Sequence, residues 1–325
     1  MRRTSAQFRI AGVAAATVAA VTLGTFAATS GSAAPRTTTA DSPGLAAGPI
    51  GFGAATTGGA GGDTVTVSDA SAFEDAVQSD GPLIVQVNGT IDLDDMTKVA
   101  SDKTVVGVGT SGRITGSGLN VSEVDNVIIQ NLTLTGSDDD AINVQYSTNV
   151  WIDHNDVSDT YDGGIDIKRA SDNVTVSWNR AHDQDKNMLL GHSDDNGGED
   201  IGKLHVTYDH NWFDGTVQRN PRVRFGNPVH VLNNYYSDVS SYGVASTEDA
   251  GVRVEGNYFE NVEDPFHLGE DKSGPGSLVA VDNYFVDSGE GETGGSVADI
   301  PYSYTVDDPQ QVKSIVTSGA GVGKI

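Results

Sequence analysis

The sequence predicts an all-β protein folded as a single-stranded parallel β-helix, a solenoid with a short N-terminal capping helix. Two observations support this fold class. Short segments of alternating β-branched residues recur at intervals of 24, 24, 32, 23, 23 and 26 residues. A coil of this length cannot bury its own apolar face, so neighbouring coils stack and share one core. Each segment also closes on an asparagine, at Asn131, Asn155, Asn179, Asn211, Asn234, Asn257 and Asn283.

Two other architectures fit the repeats less well. Leucine-rich repeats have a similar period, but they need leucine at several fixed positions, and leucine is sparse here. An antiparallel sandwich requires paired hairpins, and regular Asn-Gly turns at hairpin spacing are missing. A β-helix buries valine and isoleucine. It also accepts asparagine at its corners, where asparagine adopts left-handed dihedrals and stacks its amide on the next coil.

The N-terminus is predicted to be a secretory signal peptide covering residues 1–34. It combines a positive start at Arg2 and Arg3, an apolar run over residues 11–28 and small residues from Ser32 to Ala34. A membrane anchor is the alternative, because the apolar run is nearly long enough to span a bilayer. We expect a secreted, extracellular protein with no membrane association after cleavage. Residues 35–50 are predicted to be a linker, and residues 51–325 form the β-helix domain.

A short amphipathic helix is predicted ahead of the repeats, beginning at Ser71 and ending at Ser79. Ser71 and Glu74 have the spacing of a capping box. Phe73 and Val77 are four residues apart, so they lie on one face of this helix. The helix would cover one end of the β-stack.

Composition excludes several classes of protein. Cysteine is absent, which excludes disulfides, thiolate metal sites and a cysteine nucleophile. The 45 acidic residues outnumber 19 basic ones, so the chain is not a general nucleic-acid binder, which needs a basic face. The basic residues are unevenly spread, since eight of the 19 fall between Lys168 and Arg224.

Acidic residues cluster ahead of two consecutive repeats. Asp138 and Asp140 belong to a run of three aspartates, and Asp162 and Asp166 flank the start of the next strand. In an extended segment Asp162 and Asp166 point to the same side, and a coil stacked roughly 4.8 Å away brings Asp138 or Asp140 within reach of the same ion. Oxygen ligands without His or Cys suit Ca²⁺. A solvated acidic face is the alternative.

Basic residues form a second cluster at Arg219, Arg222 and Arg224, with Lys168 and Lys186 on the intervening coils. The longest interval between repeats lies in the same stretch. In solenoids such an insertion emerges as a loop on one face, which is often the binding face. One face of this acidic protein is therefore expected to be locally basic, although surface ion pairing alone would also account for the arginines.

At these residues the sequence resembles the pectate lyase family, the family 1 polysaccharide lyases that also include the pectin lyases. The likeness covers residues 51–325, and several linked motifs occur in the family's order. They are VWIDH at Val150–His154, DGGIDIK at Asp162–Lys168, GHSD at Gly191–Asp194 and RNPRVRFG at Arg219–Gly226.

The resemblance implies a right-handed parallel β-helix with a cleft over one sheet. It implies a monomeric enzyme that cleaves α-1,4-linked polygalacturonate by Ca²⁺-assisted β-elimination, giving 4,5-unsaturated oligogalacturonides. An arginine base implies an alkaline optimum, because the reference pKa of arginine is about 12.5 or above. The family's calcium ligands match Asp138, Asp140, Asp162 and Asp166, its proton-abstracting base matches Arg219, and its substrate-holding cations match Lys186 and Arg224, with Arg222 beside them. The Asp153–His154 pair is expected to be structural.

Three rival functions stay open at this point. A pectin lyase would act on methyl-esterified chains without Ca²⁺, and the retained carboxylates argue against it. A polygalacturonase-type hydrolase needs an acid–base carboxylate pair, for which Asp162 and Asp166 could be mistaken. A β-helical adhesin or carbohydrate-binding module would have no reason to carry Arg219 and Lys186 beside a metal site.

Overall fold

A computed structural model describes residues 48–325 of the protein, which wind into about ten coils of a parallel β-helix. The predicted fold class is confirmed. The predicted signal peptide and residues 35–47 of the predicted linker lie outside the described residues. Within the part of the chain that is described, no helix is both long enough and apolar enough to cross a membrane.

Three parallel sheets run along the solenoid, and each strand pairs with the strand one coil away. The ten-stranded sheet contains Asp63–Val67, Leu83–Val87, Lys103–Gly107, Asp125–Gln130, Thr148–Asp153, Asp172–Ser177, Val206–Asp209, Val229–Leu232, Gly251–Glu255 and Ser277–Val281. The nine-stranded sheet contains Thr90–Asp92, Arg113–Gly116, Thr133–Ser137, Asp156–Ser158, Arg180–His182, Trp212–Asp214, Tyr235–Ser237, Tyr258–Glu260 and Tyr284–Val286. The eight-stranded sheet contains Thr97–Lys98, Leu119–Ser122, Ile142–Gln145, Ile165–Lys168, Leu189–Leu190, Arg222–Arg224, Val244–Thr247 and Phe266–Leu268.

The alternating pattern of the repeats is explained by the core. Along a strand, successive side chains point to opposite faces, so every second residue faces inward. Because the coils are in register, these inward residues stack on their equivalents in the next coil. One such row of the ten-stranded sheet is fully buried, and it consists of Val127, Val150, Val174, Val206, Val229, Val252 and Leu278.

Helix α1 (Ala70–Val77) is the predicted capping helix, and it packs against the first strands of the stack. Phe73 and Val77 are fully buried, as the pattern predicts. The predicted capping box is wrong, because the N-cap is Asp69, whose carboxylate accepts a hydrogen bond from the Ala72 amide at 3.0 Å. Asp69 has extended dihedrals and starts the helix before Ser71. Two further helices, α2 (Gly197–Asp200) and α3 (Pro309–Gly319), lie later in the chain, and a 3₁₀ turn spans Gly51–Gly53.

The closing asparagines form a ladder along one corner of the solenoid. Each side-chain amide donates a hydrogen bond of 3.0 Å to the side-chain oxygen of the asparagine one coil further on. This confirms the predicted stacking of amides. The ladder consists of Asn155, Asn179, Asn211, Asn234, Asn257 and Asn283.

Asn131 is not part of the ladder, although the sequence repeat predicts it as the first closing asparagine. The predicted alignment of the first repeat is therefore wrong by one residue. Its neighbour Leu132 occupies that rung and donates its backbone N–H to Asn155 Oδ1 at 3.0 Å. At each corner, the residue directly before the ladder asparagine has a left-handed backbone conformation. His154, Trp178 and His210 have φ of 51°, 53° and 54°, and their rings stack on one another.

Replacing a ladder residue tests how far this stack stabilises the fold. Asn211 Oδ1 accepts from the backbone and side-chain N–H groups of Asn179, and its amide donates to Val176 O at 2.9 Å. Asn211→Ala leaves those buried groups unpaired, at a cost of about 1–3 kcal/mol each. We expect the free energy of unfolding, measured by chemical denaturation, to fall by roughly 3 kcal/mol or more. Asn88→Ala, at an exposed asparagine, is the control, and equal losses in both variants would contradict the account.

Candidate active site

The outward face of the eight-stranded sheet and the turns that lead into its strands bring the predicted site residues together. Ile167 pairs with Leu190, and Leu189 pairs with Arg222. Asp166 and Arg222 therefore lie in one outward row, two coils apart, which is roughly 10 Å. The register places carboxylates on the earlier coils of this face and arginines on the later ones, which agrees with the predicted juxtaposition.

Three carboxylates converge at the N-terminal side of this face. Asp139, Asp140 and Asp162 each offer an oxygen, and these oxygens lie within 4.8 Å of one another. Asp140 is buried, and its Oδ1 has no hydrogen-bond partner among the described residues. An unsatisfied buried carboxylate oxygen is costly. With no imidazole or thiolate among them, the three aspartates have the donor chemistry that a hard cation such as Ca²⁺ requires.

Asp138, a predicted ligand, is not among the three converging carboxylates, whereas its neighbour Asp139 is. The reason is a bend in the aspartate run that the sequence pattern treats as extended. The Ser137 hydroxyl accepts from the Asp139 amide at 3.3 Å and donates to Asp140 O at 2.9 Å. This turn directs Asp139 toward Asp140, and both Asp138 and Asp139 are exposed.

Asp166 is buried beside Asp140 but both of its oxygens are already engaged. Its Oδ1 accepts from the Leu189 amide at 3.0 Å, and its Oδ2 lies 3.1 Å from Lys168 Nζ. Residues 161–164 are bent, so Asp162 and Asp166 do not project together from one extended segment. Gly163 permits the close approach, because a Cβ there would lie 2.5 Å from Asp166 Oδ1 and 2.6 Å from Asp140 Oδ1.

The pKa values of the buried carboxylates record this crowding. Burial and the neighbouring Asp166 raise the pKa of Asp140 to about 7. Burial also raises the pKa of Asp166. Burial disfavours the charged form of Lys168, but Asp166 and Asp140 outweigh it and raise the pKa of that ammonium, whose Nζ lies 2.7 Å from Asp140 Oδ2. The pair of carboxylates thus has more negative charge than Lys168 alone balances, which favours a cation at this position.

Lys186, a predicted substrate-holding residue, lies at the edge of the carboxylate group. Its Nζ donates to Asp162 Oδ1 at 2.7 Å, and this bond lowers the pKa of Asp162, with a smaller contribution from the charge of Arg219. About a third of the Lys186 side chain is exposed. An incoming carboxylate can therefore reach the ammonium without displacing a buried contact.

Arg219, the predicted base, is held in an unusual backbone conformation close to the carboxylates. Its φ is 60°, in the left-handed region that bulky residues rarely adopt, and such strain clusters at functional sites. The following Asn220 is anchored by hydrogen bonds from Asn187 and Thr216, each 3.0 Å long. Within residues 48–325 the Arg219 guanidinium forms no ion pair, and its buried Nε has no hydrogen-bond partner. The guanidinium is therefore free to face a ligand.

Arg222 and Arg224 are joined by a short chain of hydrogen bonds. Arg224 Nε donates to Asp194 Oδ1 at 2.7 Å, and the Ser273 hydroxyl donates to the same oxygen at 2.7 Å. Ser273 in turn accepts from Arg222 Nη2 at 2.8 Å, while Arg222 Nη1 lies 3.3 Å from Asp271. Asp194 belongs to the predicted insertion, so that loop does lie at the site. These contacts fix both guanidinium planes.

Some of these contacts could not be predicted from the sequence. Ser273 is 79 residues from Asp194 and belongs to no recognisable motif. The involvement of Lys168 could have been predicted, because it is a basic residue among the acidic residues of the DGGIDIK motif.

The Asp153–His154 pair lies on the ten-stranded sheet, away from this face. Asp153 is buried and accepts from Gln130 and Ser177 at 2.7 and 2.6 Å.

Comparison with known proteins defines the class of this molecule as a parallel β-helix polysaccharide lyase. A family described as pectate lyase matches residues 13–325. The chain is similar to a pectate trisaccharide-lyase from Bacillus licheniformis, with 38% identity over 292 residues, 83% of this chain and 84% of that relative. It is also similar to pectate lyase A from Emericella nidulans, with 41% identity over 266 residues, 78% of this chain and 80% of that relative. The chain belongs to the pectate lyase family.

Solved structures agree with this assignment. A pectate lyase from Bacillus sp. N165, in complex with trigalacturonate, has 31% identity and a TM-score of 0.75, covering 85% of this chain and 99% of its own. Pectate lyase II from Xanthomonas campestris has 29% identity and a TM-score of 0.73, with the same coverage. These similarities support pectate lyase function for this chain.

The hydrogen-bonded chain from Asp194 to the arginines yields a prediction. Asp194→Asn keeps the side-chain shape but removes the charge-assisted bond to Arg224, which is worth about 1.5–3 kcal/mol. We expect kcat/KM on pectate to fall roughly ten- to hundredfold. Asp195→Asn is the matched control on the same loop, because the only side-chain partner of Asp195 in the described region is Ser193. Equal losses in the two variants would remove Asp194 from this positioning role.

Proposed function

We propose that the protein is a secreted pectate lyase that cleaves α-1,4-linked polygalacturonate by Ca²⁺-assisted β-elimination, giving 4,5-unsaturated oligogalacturonides. One observation carries the mechanism. Arg219, which has no ion-pair partner within residues 48–325, lies close to a carboxylate group in which Asp140 Oδ1 is buried and has no hydrogen-bond partner in the same range. The relatives' names support the substrate class, since one is a pectate trisaccharide-lyase and another holds trigalacturonate.

The carboxylate group is the proposed calcium site. Asp139, Asp140 and Asp162 would hold the ion directly, with Asp166 behind Asp140 adding to the negative charge. An ion held by these residues would supply Lewis-acid chemistry, which makes the C5 proton of a uronate more acidic. A bound cation would offset the repulsion between the carboxylates of the protein and those of the substrate, so an acidic protein can bind an acidic polysaccharide.

The basic residues of the same face are proposed to hold the substrate. Lys186 and Arg224 would pair with uronate carboxylates and stabilise the negative charge that develops during proton removal. Arg224 can do so from a fixed position, since Asp194 and Gly191 O hold its guanidinium. Arg222 is buried and bonded to Asp271 and Ser273, so its proposed role is to support Arg224 through Ser273.

Arg219 is proposed to take the proton from C5. The electron pair left on C5 forms the C4–C5 double bond as the C4–O bond breaks, and the leaving oxygen takes a proton from water. Arginine acts as a base only when a neutral guanidine is accessible, and its reference pKa is about 12.5 or above. The proposal therefore includes an alkaline optimum.

Secretion and a monomeric state complete the proposal. Export is supported by the signal-peptide pattern of residues 1–34. A single β-helix chain contains every residue that the proposed mechanism uses.

An absorbance assay on polygalacturonate tests this function. We expect products that absorb in the near ultraviolet through their new double bond, activity that chelation abolishes and activity that added Ca²⁺ restores. A hydrolase would give no such absorbance, and a pectin lyase would act without Ca²⁺ and prefer methyl-esterified chains. Either result would overturn the proposal.

Two neighbouring substitutions sharpen the same assay. At limiting Ca²⁺, Asp139→Asn should lower activity roughly tenfold or more, because it removes a direct ligand, whereas Asp138→Asn should stay within about twofold. The reverse order would show that the predicted ligand Asp138 binds the ion and that Asp139 does not.

A further inference from the structure

A second groove runs along the outward face of the nine-stranded sheet. Outward residues from five successive coils line one wall, and their register makes them a continuous row roughly 19 Å long. Residues 317–324 of the C-terminal segment form the other wall, and the cavity measures about 430 Å³. We call this feature the C-terminal groove. Its row of wall residues is Arg113, Thr133, Asp156, Arg180 and Trp212.

The charges facing the C-terminal groove do not cancel. Arg180 lies 2.7 Å from Asp214 and 3.6 Å from Asp156, and Asp156 also lies 2.9 Å from His182 Nε2. These groups largely neutralise one another. Arg113 and Lys324 are exposed and line the groove, yet within residues 48–325 neither forms an ion pair.

Two cations of one groove thus have no ion-pair partner among the described residues, although the chain has a net charge of −26. Lys186 and Lys313 pair with carboxylates, whereas Lys98 and Lys272 are exposed without an ion pair in the described region. What distinguishes the groove is that two such cations, Arg113 and Lys324, line one cavity. The groove also has hydroxyl groups at Thr110 and Thr133, which can bond to sugar hydroxyls. An elongated, hydroxyl-lined and locally basic groove is suited to an extended polyanion.

We propose that the C-terminal groove binds a stretch of uronate polysaccharide without cleaving it. This inference rests on the proposed function, because it takes the same polymer as the active site. The lining of the groove contains neither Arg219 nor any of Asp139, Asp140 and Asp162, so it has neither the proposed base nor the proposed cation site.

A second attachment point changes how the enzyme uses long chains. A polymer bound at both places raises the effective concentration of uronate at the active site, whereas a trisaccharide that occupies the active site has no further sugars to place in the groove. The groove should therefore affect binding and turnover of the polymer and leave turnover of trigalacturonate unchanged.

Binding of polygalacturonate, measured by affinity electrophoresis in the presence of chelator, tests this site directly. The double variant Arg113→Ala/Lys324→Ala should bind the polymer about five- to tenfold more weakly than the parent. Turnover of trigalacturonate with Ca²⁺ should stay the same. Arg113→Lys keeps the charge and should retain binding. Lys203→Ala is the matched single-charge control for Arg113→Ala, because its half-exposed side chain lies outside the groove.

Three results would overturn the proposal. They are parental affinity in the double variant, equal weakening by Lys203→Ala and Arg113→Ala, and equal affinity of the parent for fully methyl-esterified pectin, which has no uronate charge. Failure of the proposed lyase function is visible separately. It would appear as absent ultraviolet products from the parent, whereas the binding measurement needs no catalysis.

Discussion

The stacking of each coil on the next, in a register held by the asparagine ladder, is the constraint on which the site depends. Asp140 and Asp162 lie on adjacent coils, and Arg219 follows two coils after Asp162. Each step is roughly 4.8 Å, so residues distant in sequence reach one ion or one sugar. A one-residue slip would turn every outward side chain inward. Ladder residues such as Asn179 and Asn211, which are fully buried, therefore stabilise the geometry of the active face as well as the fold.

The active face combines charges of both signs in a protein that is acidic overall. Burial and the neighbouring Asp166 raise the pKa of Asp140 to about 7, and Lys168 balances only part of the charge of these carboxylates. A divalent cation would satisfy this group and attract an anionic sugar. Arg224 is fixed by Asp194, whereas Arg219 has no ion-pair partner in the described part of the chain. Arg224 is therefore suited to binding a uronate carboxylate, and Arg219 is suited to contacting C5 of the sugar.

Much of the fold and part of the site were predictable from the sequence, because both depend on local repetition. Alternating β-branched residues and closing asparagines define coils, and stacked coils bring Asp140 beside Asp162. Non-local or irregular contacts were not predictable. Hydrogen bonds of the Ser137 hydroxyl bend the aspartate run, so that Asp139 joins Asp140 and Asp162 in the converging group. Contacts of the loop around Ser273 with the arginines depend on tertiary packing, which no spacing in the sequence encodes.

The role of Arg219 is the central claim, and turnover of Arg219→Lys on polygalacturonate tests it most directly. Lysine keeps the positive charge but cannot place a guanidine nitrogen at C5. The account predicts that kcat, followed by ultraviolet absorbance at saturating Ca²⁺, falls roughly 10³-fold while KM changes little. Near-normal turnover in Arg219→Lys would contradict the account, because the group that removes the proton would then be a different one.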